Sequence, residues 1–184
     1  MGNDAATPRK KTTMQELDKA LKKSLLGPET DAMLDKFQRQ IEAWGLALPP
    51  VEPLILDFGL GQFDRVGLIE YWIANELEAG YCGKYLFVFD GQMCPSHSHR
   101  TKHETFFLVH GCLEVVLNGR QLTLHPGEVL PVPPGHVHSF QGKGNALLLE
   151  LSMPCHVNDN CFDDPRTMAW LKELAGQSPT EQSN

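Results

Sequence analysis

No apolar run in this chain approaches the roughly 18 residues that a membrane-spanning helix needs. The opening Met1-Gly-Asn-Asp-Ala-Ala-Thr-Pro-Arg-Lys-Lys11 is polar and holds no signal-peptide apolar region, so a soluble cytoplasmic protein is expected. Basic runs are missing too. The net charge is −7, which argues against an extended nucleic-acid surface and favours a small-molecule partner. The five cysteines, Cys82, Cys94, Cys112, Cys155 and Cys161, are odd in number, scattered and never spaced Cys-x-x-Cys, so reduced and mostly buried thiols are expected. Internal repeats and low-complexity tracts are absent as well. The 184 residues suffice for one compact domain with an appended element.

Residues 1–12 are polar and expected to be flexible. Met14, Leu17, Leu21 and Leu25 then recur at helical spacing until Gly27-Pro28 stops the run. A second amphipathic stripe, Leu34, Phe37, Ile41 and Trp44, runs from about Asp31 to the break at Gly45 and Pro49-Pro50. Residues 13–50 are thus expected to form a helical hairpin. Glu16, Asp18, Asp31, Asp35 and Glu42 dilute its basic residues, so packing on the main body or at a dimer interface fits better than DNA reading.

From Val51 the pattern changes to short β-rich runs: Leu54 to Asp57, Val66 to Asn75, Tyr81 to Phe89, Glu104 to His110, Leu113 to Leu117, Gln121 to Leu124, Glu128 to Val132 and Ala146 to Ser152. Asn118-Gly119 is the strongest hairpin signal among them. Such a series predicts a mainly β, two-sheet jelly roll over residues 51–166. Past Pro154 the chain reads as irregular through Asn158-Asp-Asn160 and Asp163-Asp-Pro165-Arg166. A short helix from about Thr167 to Ala175 and a polar tail complete residues 167–184.

Within that β region, three imidazoles and a carboxylate recur at spacings that can close around one metal ion. His97 and His99 are two apart, and on a strand that spacing puts both side chains on one face. Glu104 follows His99 by an odd offset, so residues 100–103 must turn or bulge to reset the register. His138 arrives after Pro133-Pro134-Gly135, a turn signal that aims the next strand. Three nitrogens and one oxygen leave coordination positions free, the pattern of a catalytic site. Such donors suit Mn, Fe, Co, Ni or Zn alike.

The segments from Gly91 to Gly111 and from Gly127 to Gly142 resemble the paired motifs of the cupin superfamily, small jelly-roll barrels (double-stranded β-helices) with a metal at the centre. In cupins the first motif supplies two His and one Glu, here His97, His99 and Glu104, and the second supplies the last His, here His138. The second motif often closes on an Asn that is not a ligand, and this chain has Gly142 there. Asp57-Phe-Gly-Leu-Gly61, Cys82-Gly-Lys84, Lys102-His-Glu104-Thr-Phe106, Glu150-Leu-Ser-Met153 and Phe162-Asp-Asp-Pro165-Arg166 together resemble the cupin-type D-lyxose ketol-isomerases, over about residues 54–166. That resemblance implies a manganese-dependent aldose–ketose isomerase acting on a free sugar such as D-lyxose, with D-xylulose as product. Together with the apolar helix stripes it implies a homodimer.

Isomerisation moves a proton or hydride between adjacent carbons and needs a group that can take and return it. Glu150, in Ala146-Leu-Leu-Leu-Glu-Leu151, has apolar neighbours on both strand faces and is the candidate general base. Lys84 poses the same burial problem on another strand and could hold a sugar oxygen, against the alternative of a lysine snorkelling to an edge. Lys102 points inward with Glu104 if the strand has already begun, and is merely solvated if it lies in the turn. His136 fits the surface better than the substrate, and His103, His110, His125 and His156 have no partner spacing. The competing functions are an iron-dependent dioxygenase on the same four ligands and a sugar-binding sensor without turnover.

Overall fold

Period-two burial builds two antiparallel sheets packed face to face in the computed structural model, which describes Glu16, residues 20–174 and Gly176. Helix α1 (Pro28–Ala43) is followed by strands β1 (Leu54–Leu56), β2 (Leu68–Glu76), β3 (Tyr81–Val88), β4 (Met93–His99), β5 (Glu104–His110) and β6 (Leu113–Leu117). Then come β7 (Arg120–Leu124), β8 (Val129–Val132), β9 (His138–Gly142), β10 (Ala146–Ser152), β11 (Asn160–Phe162) and helix α2 (Pro165–Leu174). One sheet has the order β1-β2-β3-β10-β5-β8 and the other β11-β4-β9-β6-β7. This is the expected mainly β jelly roll. From β3 to β6, and again from β7 to β11, every connection carries the chain from one sheet to the other, so residues far apart in sequence face each other across the interior. Asn118 and Gly119 close the β6–β7 hairpin with φ of 48° and 79°, the left-handed pair such a tight turn requires.

Inward side chains from both sheets, among them Leu86, Leu108 and Leu148 on one and Leu113, Val115 and Phe140 on the other, form one interior cluster. The six-stranded sheet is buried on its outer face as well, because α1 lies there. Phe37 stacks on Tyr71 at 5.4 Å and meets Phe87 edge-on at 4.8 Å, and burying such a ring contributes about 2–3 kcal/mol. Cover on both faces explains the consecutive apolar residues of β10. Leu147 faces α1, while Ala146 and Leu148 face the interior. Continuing that alternation, Glu150 also faces the interior.

The helices begin and end differently from the expectation. Gly27-Pro28 opens α1 instead of only stopping its predecessor: Gly27 is the N-cap, and Pro28 takes the first turn, where its missing N–H has no intrahelical acceptor to serve. Ala20 and Leu21 are the end of the first helix; a turn follows, and the Leu25 N–H donates to the Ile55 carbonyl at 2.8 Å. The Met14 and Leu17 positions of that helix, the polar N-terminus and the C-terminal tail lie outside the described residues. Two glycines fix the sheet crossings. Gly111 has φ of 88°, and a Cβ there would collide with the Asn145 carbonyl. A Cβ on Gly142 would lie 2.6 Å from the Phe89 carbonyl oxygen and 2.7 Å from that of Gly144, so backbone packing disfavours here the Asn that often closes the motif.

Candidate functional site

His97 and His99 both project inward from β4, which runs between β9 and β11. His138, the first residue of β9, is the direct cross-strand partner of His97. One nitrogen from each of the three rings lies within 4.8 Å of the other two, and all three residues are buried. Glu104 comes from the opposite sheet. Residues 100–103 turn the chain across the interior, and β5 begins at the carboxylate. Its Oε1 stands 3.1 Å from His99 Nε2 and its Oε2 3.2 Å from His138 Nε2. The four side chains named from the sequence thus meet at one end of the interior.

Their protonation suits a cation. Burial first, then the neighbouring His138 and His99, holds the His97 imidazole well below its ordinary pKa. Burial lowers His99 likewise, against the opposing pull of Glu104. Neutral rings are what a metal requires. The Nδ1–H of His97 donates to the Pro95 carbonyl at 2.8 Å and that of His138 to the His136 carbonyl at 3.0 Å, which leaves each Nε2 as a lone pair. Burial pushes the Glu104 carboxyl up, but Lys102 first and then the adjacent His138 and His99 outweigh it and hold it well below the usual carboxylate range. His99 Nε2, His138 Nε2 and Glu104 Oε2 are buried without a hydrogen-bond partner. Converging lone pairs left unsatisfied in a dry interior fit a divalent ion of the Mn, Fe, Co, Ni or Zn group.

Beside them runs a ladder of buried charges. Lys102 Nζ lies 2.6 Å from Glu104 Oε1 and 3.1 Å from Glu150 Oε1. Lys84 Nζ continues it, 3.3 Å from Glu150 Oε2 and 3.5 Å from Glu70 Oε1. Glu70 Oε2 in turn accepts the Trp72 indole N–H at 2.8 Å. Sheet register explains the order: Lys84 pairs with Glu150 on one side and Trp72 on the other, and Glu70 is one inward position along from Trp72. Burial alone would lower both lysines, yet the carboxylates outweigh it and raise Lys84 and Lys102 above their ordinary values, so both are cationic. Ser152 Oγ adds a hydrogen bond to Glu150 Oε1 at 2.9 Å.

Lys102 resolves the alternative left by its sequence position in an unforeseen way. It lies in the turn and is nevertheless 3% exposed, because the Asp159 carboxylate accepts the Thr101 and Lys102 backbone N–H groups at 3.0 Å each and turns the side chain inward. Glu70 was missed. Its signal is the one that identified Glu150, a carboxylate inside an apolar strand, Leu68-Ile-Glu70-Tyr-Trp-Ile73. Phe162 of β11 was missed too, and its ring stacks on His97 at 5.1 Å. His136 is half-buried, with its carbonyl on His138, and His110 stacks on Trp44 at 4.2 Å, away from the site. A cavity of about 80 Å³ adjoins the ladder, lined by Glu70, Trp72 and Lys84 and by the aromatic Phe58, Phe162 and Trp170.

Comparison with known proteins places the site in context. Residues 87–152, from β3 to the end of β10, match the cupin domain. The D-lyxose/D-mannose isomerase of Thermosediminibacter oceani is 28% identical over 163 residues, covering 72% of this chain and 89% of its own. The D-lyxose ketol-isomerase of a Thermofilum species is 30% identical over 140 residues, covering 60% of this chain and 76% of its own. Among solved structures, the ligand-free L-ribose isomerase of Cellulomonas parahominis superposes with a TM-score of 0.68 at 16% identity, over 80% of this chain and 96% of that one. At that identity the likeness concerns the fold.

Proposed function

The chain belongs to the D-lyxose ketol-isomerase family of cupin proteins, and from that premise we propose that it converts a free aldose such as D-lyxose into the matching ketose, D-xylulose. His97, His99, Glu104 and His138 would hold the metal, manganese foremost, with Fe, Co, Ni or Zn admitted by the same donors. When bound, the ion supplies a Lewis acid that polarises the sugar's carbonyl and adjoining hydroxyl. The observation that carries the reading is the place of Glu150, a buried carboxylate one lysine away from Glu104 and outside the set of converging donors.

Glu150 takes the proton from C2 while the proton of the C2 hydroxyl passes to the carbonyl oxygen at C1. It then returns its proton to C1 as the carbonyl forms at C2, so atoms balance and no redox partner is needed. Lys102 holds Glu150 Oε1 in place, and Lys84 brings a cation to the other oxygen, where it can also meet an oxygen of the sugar as negative charge develops. The aromatic Phe58, Trp72, Phe162 and Trp170 limit water on the cavity side of Lys84. An iron-dependent dioxygenase would leave the charge ladder without a use, and a sensor would need no proton carrier at Glu150. A homodimer belongs to the same proposal: Ile73, Tyr81, Leu151 and Met153 are apolar and exposed on the six-stranded sheet and its margin.

The test is conversion of D-lyxose, D-mannose and D-xylulose by the metal-loaded protein in deuterated water, followed by NMR at C1 and C2. Ketose carrying solvent deuterium at C1 is expected. In Glu150→Gln, turnover should fall by about 10²–10⁴-fold with metal content unchanged. Wild-type rates in that variant would remove Glu150 from the reaction, and absence of conversion for every sugar would reject the isomerase.

A further inference from the structure

We infer that Glu70, working with Lys84, is the residue that reads hydroxyl groups on the part of the sugar remote from the reacting carbons, and that it confines the cavity to uncharged polyol tails. The inference rests on the isomerase reading and names its substrate class more narrowly.

Proton transfer at C1 and C2 uses Glu150, Lys102 and Lys84 and leaves Glu70 without a task. Yet Glu70 is buried, and with Glu104 turned to the converging imidazoles, Glu70 and Glu150 lie on either side of the one buried Lys84. The buried aspartates are otherwise satisfied: Asp57 accepts the Gly59 and Gly61 N–H groups, and Asp159 those of Thr101 and Lys102. A carboxylate buried in this way costs stability that an apolar residue of similar size would not. Glu70 is also underused. A carboxylate offers about four acceptor positions, and Glu70 receives one hydrogen bond, from Trp72 Nε1 at 2.8 Å. Lys84 stands 3.5 Å from it and 3.3 Å from Glu150, both longer than the roughly 2.7–2.9 Å of a strong charge-assisted hydrogen bond.

Glu70, Trp72 and Lys84 all line the cavity beside the ladder. An acceptor and a donor 3.5 Å apart suit a hydroxyl group, which donates to Glu70 and accepts from Lys84 at once, or two neighbouring hydroxyls that divide those roles. Phe58, Phe162 and Trp170 offer apolar surface to the carbon-bound hydrogens of the same chain. A phosphate would bring two negative charges against the Glu70 carboxylate in a water-poor space, so a phosphorylated tail is disfavoured.

The experiment compares kcat/KM for D-lyxose, its 3-, 4- and 5-deoxy analogues and its 5-phosphate, in the metal-loaded wild type and in Glu70→Gln, which keeps an acceptor for Trp72. In the wild type at least one deoxy analogue should lose about 10- to 100-fold, mainly through KM. In Glu70→Gln, D-lyxose should lose a similar factor, and the deoxy and phosphate penalties should shrink to less than about threefold. Calorimetric binding of the alditol made by reducing D-lyxose, which has no carbonyl to isomerise, should weaken in parallel at unchanged metal content. Equal kcat/KM across the wild-type deoxy series overturns the inference and needs no variant to fold. Normal turnover with unchanged alditol affinity in Glu70→Gln overturns it while leaving the isomerase intact. Glu70-dependent alditol binding without turnover of any sugar rejects the isomerase and keeps the polyol subsite.

Discussion

Replacing Lys84 by Met keeps an unbranched side chain of similar length and removes a cation 3.5 Å from Glu70 Oε1 and 3.3 Å from Glu150 Oε2. Those two oxygens can then be no more than about 7 Å apart, and at an effective dielectric near 20 the carboxylates repel by about 2.4 kcal/mol. The lysine's lost attraction to each adds to this, and its own desolvation cost is recovered. The expected loss is about 3–4 kcal/mol near neutral pH, within the range for breaking a buried pair from one side. For a chain of this length that lowers Tm by about 6–16 °C.

The dependence on pH tests the cause. Burial lowers the Lys84 ammonium, but Glu150 and Glu70 outweigh it and hold its pKa well above the ordinary lysine value. A raised lysine contributes stability that is complete below its unfolded pKa and lost only as pH rises through the folded one. The wild type therefore gains no slope from this group between about pH 5 and about pH 9. In the variant the folded state takes up a proton to relieve the carboxylate pair, so its stability falls as pH rises. Calorimetric melts of metal-free wild type and variant should show a gap at about pH 8 that at least halves at about pH 5. A gap below about 1 kcal/mol at the higher pH, or one of constant size, refutes the buried charge ladder.

Three shorter predictions concern other parts of the molecule. His99→Ala and His138→Ala should each lose bound metal, measured by elemental analysis, while staying soluble; full occupancy in both would remove the proposed donor set. Gly142→Asn should lose about 1–3 kcal/mol, because its Cβ would press on the Phe89 and Gly144 carbonyls, and a denaturation midpoint equal to wild type would contradict that packing. Burial, followed by Cys155 and Glu150, pushes the Cys82 thiol up to about 12, and burial raises Cys94 and Cys155 too. A thiol reagent should label native protein at the half-buried Cys112 and Cys161 alone, and mass spectrometry showing Cys82 modified at the same rate would disprove it.

Much of the site was legible because strand geometry is simple. A spacing of two puts His97 and His99 on one face, and the odd step to Glu104 required the turn that carries β5 to the opposite sheet. Glu150 and Lys84 stood out as charges in apolar strands. Glu70, between Leu68-Ile69 and Tyr71-Trp72, carried the same signal and was passed over. Lys102 was framed as strand or solvent, and neither applies. Its direction is set by Asp159, a long-range backbone contact with no periodicity to betray it. The Asn158-Asp-Asn160 segment read as irregular for a related reason. The three residues of β11 are too few for alternation and become a strand by pairing with β4. Pro28 reads as a stop because in sequence a proline that ends a helical run looks like one that begins the next, and only the cap geometry distinguishes the two.

The reliance of β4 on β11 bears on the order in which the protein matures. By Glu150 the ribosome has delivered all the imidazoles and carboxylates of the centre, together with both lysines. Their placement depends on the segment beyond β10: Asn75 clamps the Cys155 backbone from both sides, Asp159 fixes the turn that aims Lys102, Phe162 seats against His97, and Ser96 donates to Asp163 at 2.5 Å. A chain ending at Glu150 would thus carry every proposed donor without the contacts that aim them, and a metal held by these side chains would meet its finished centre only once this late segment docks.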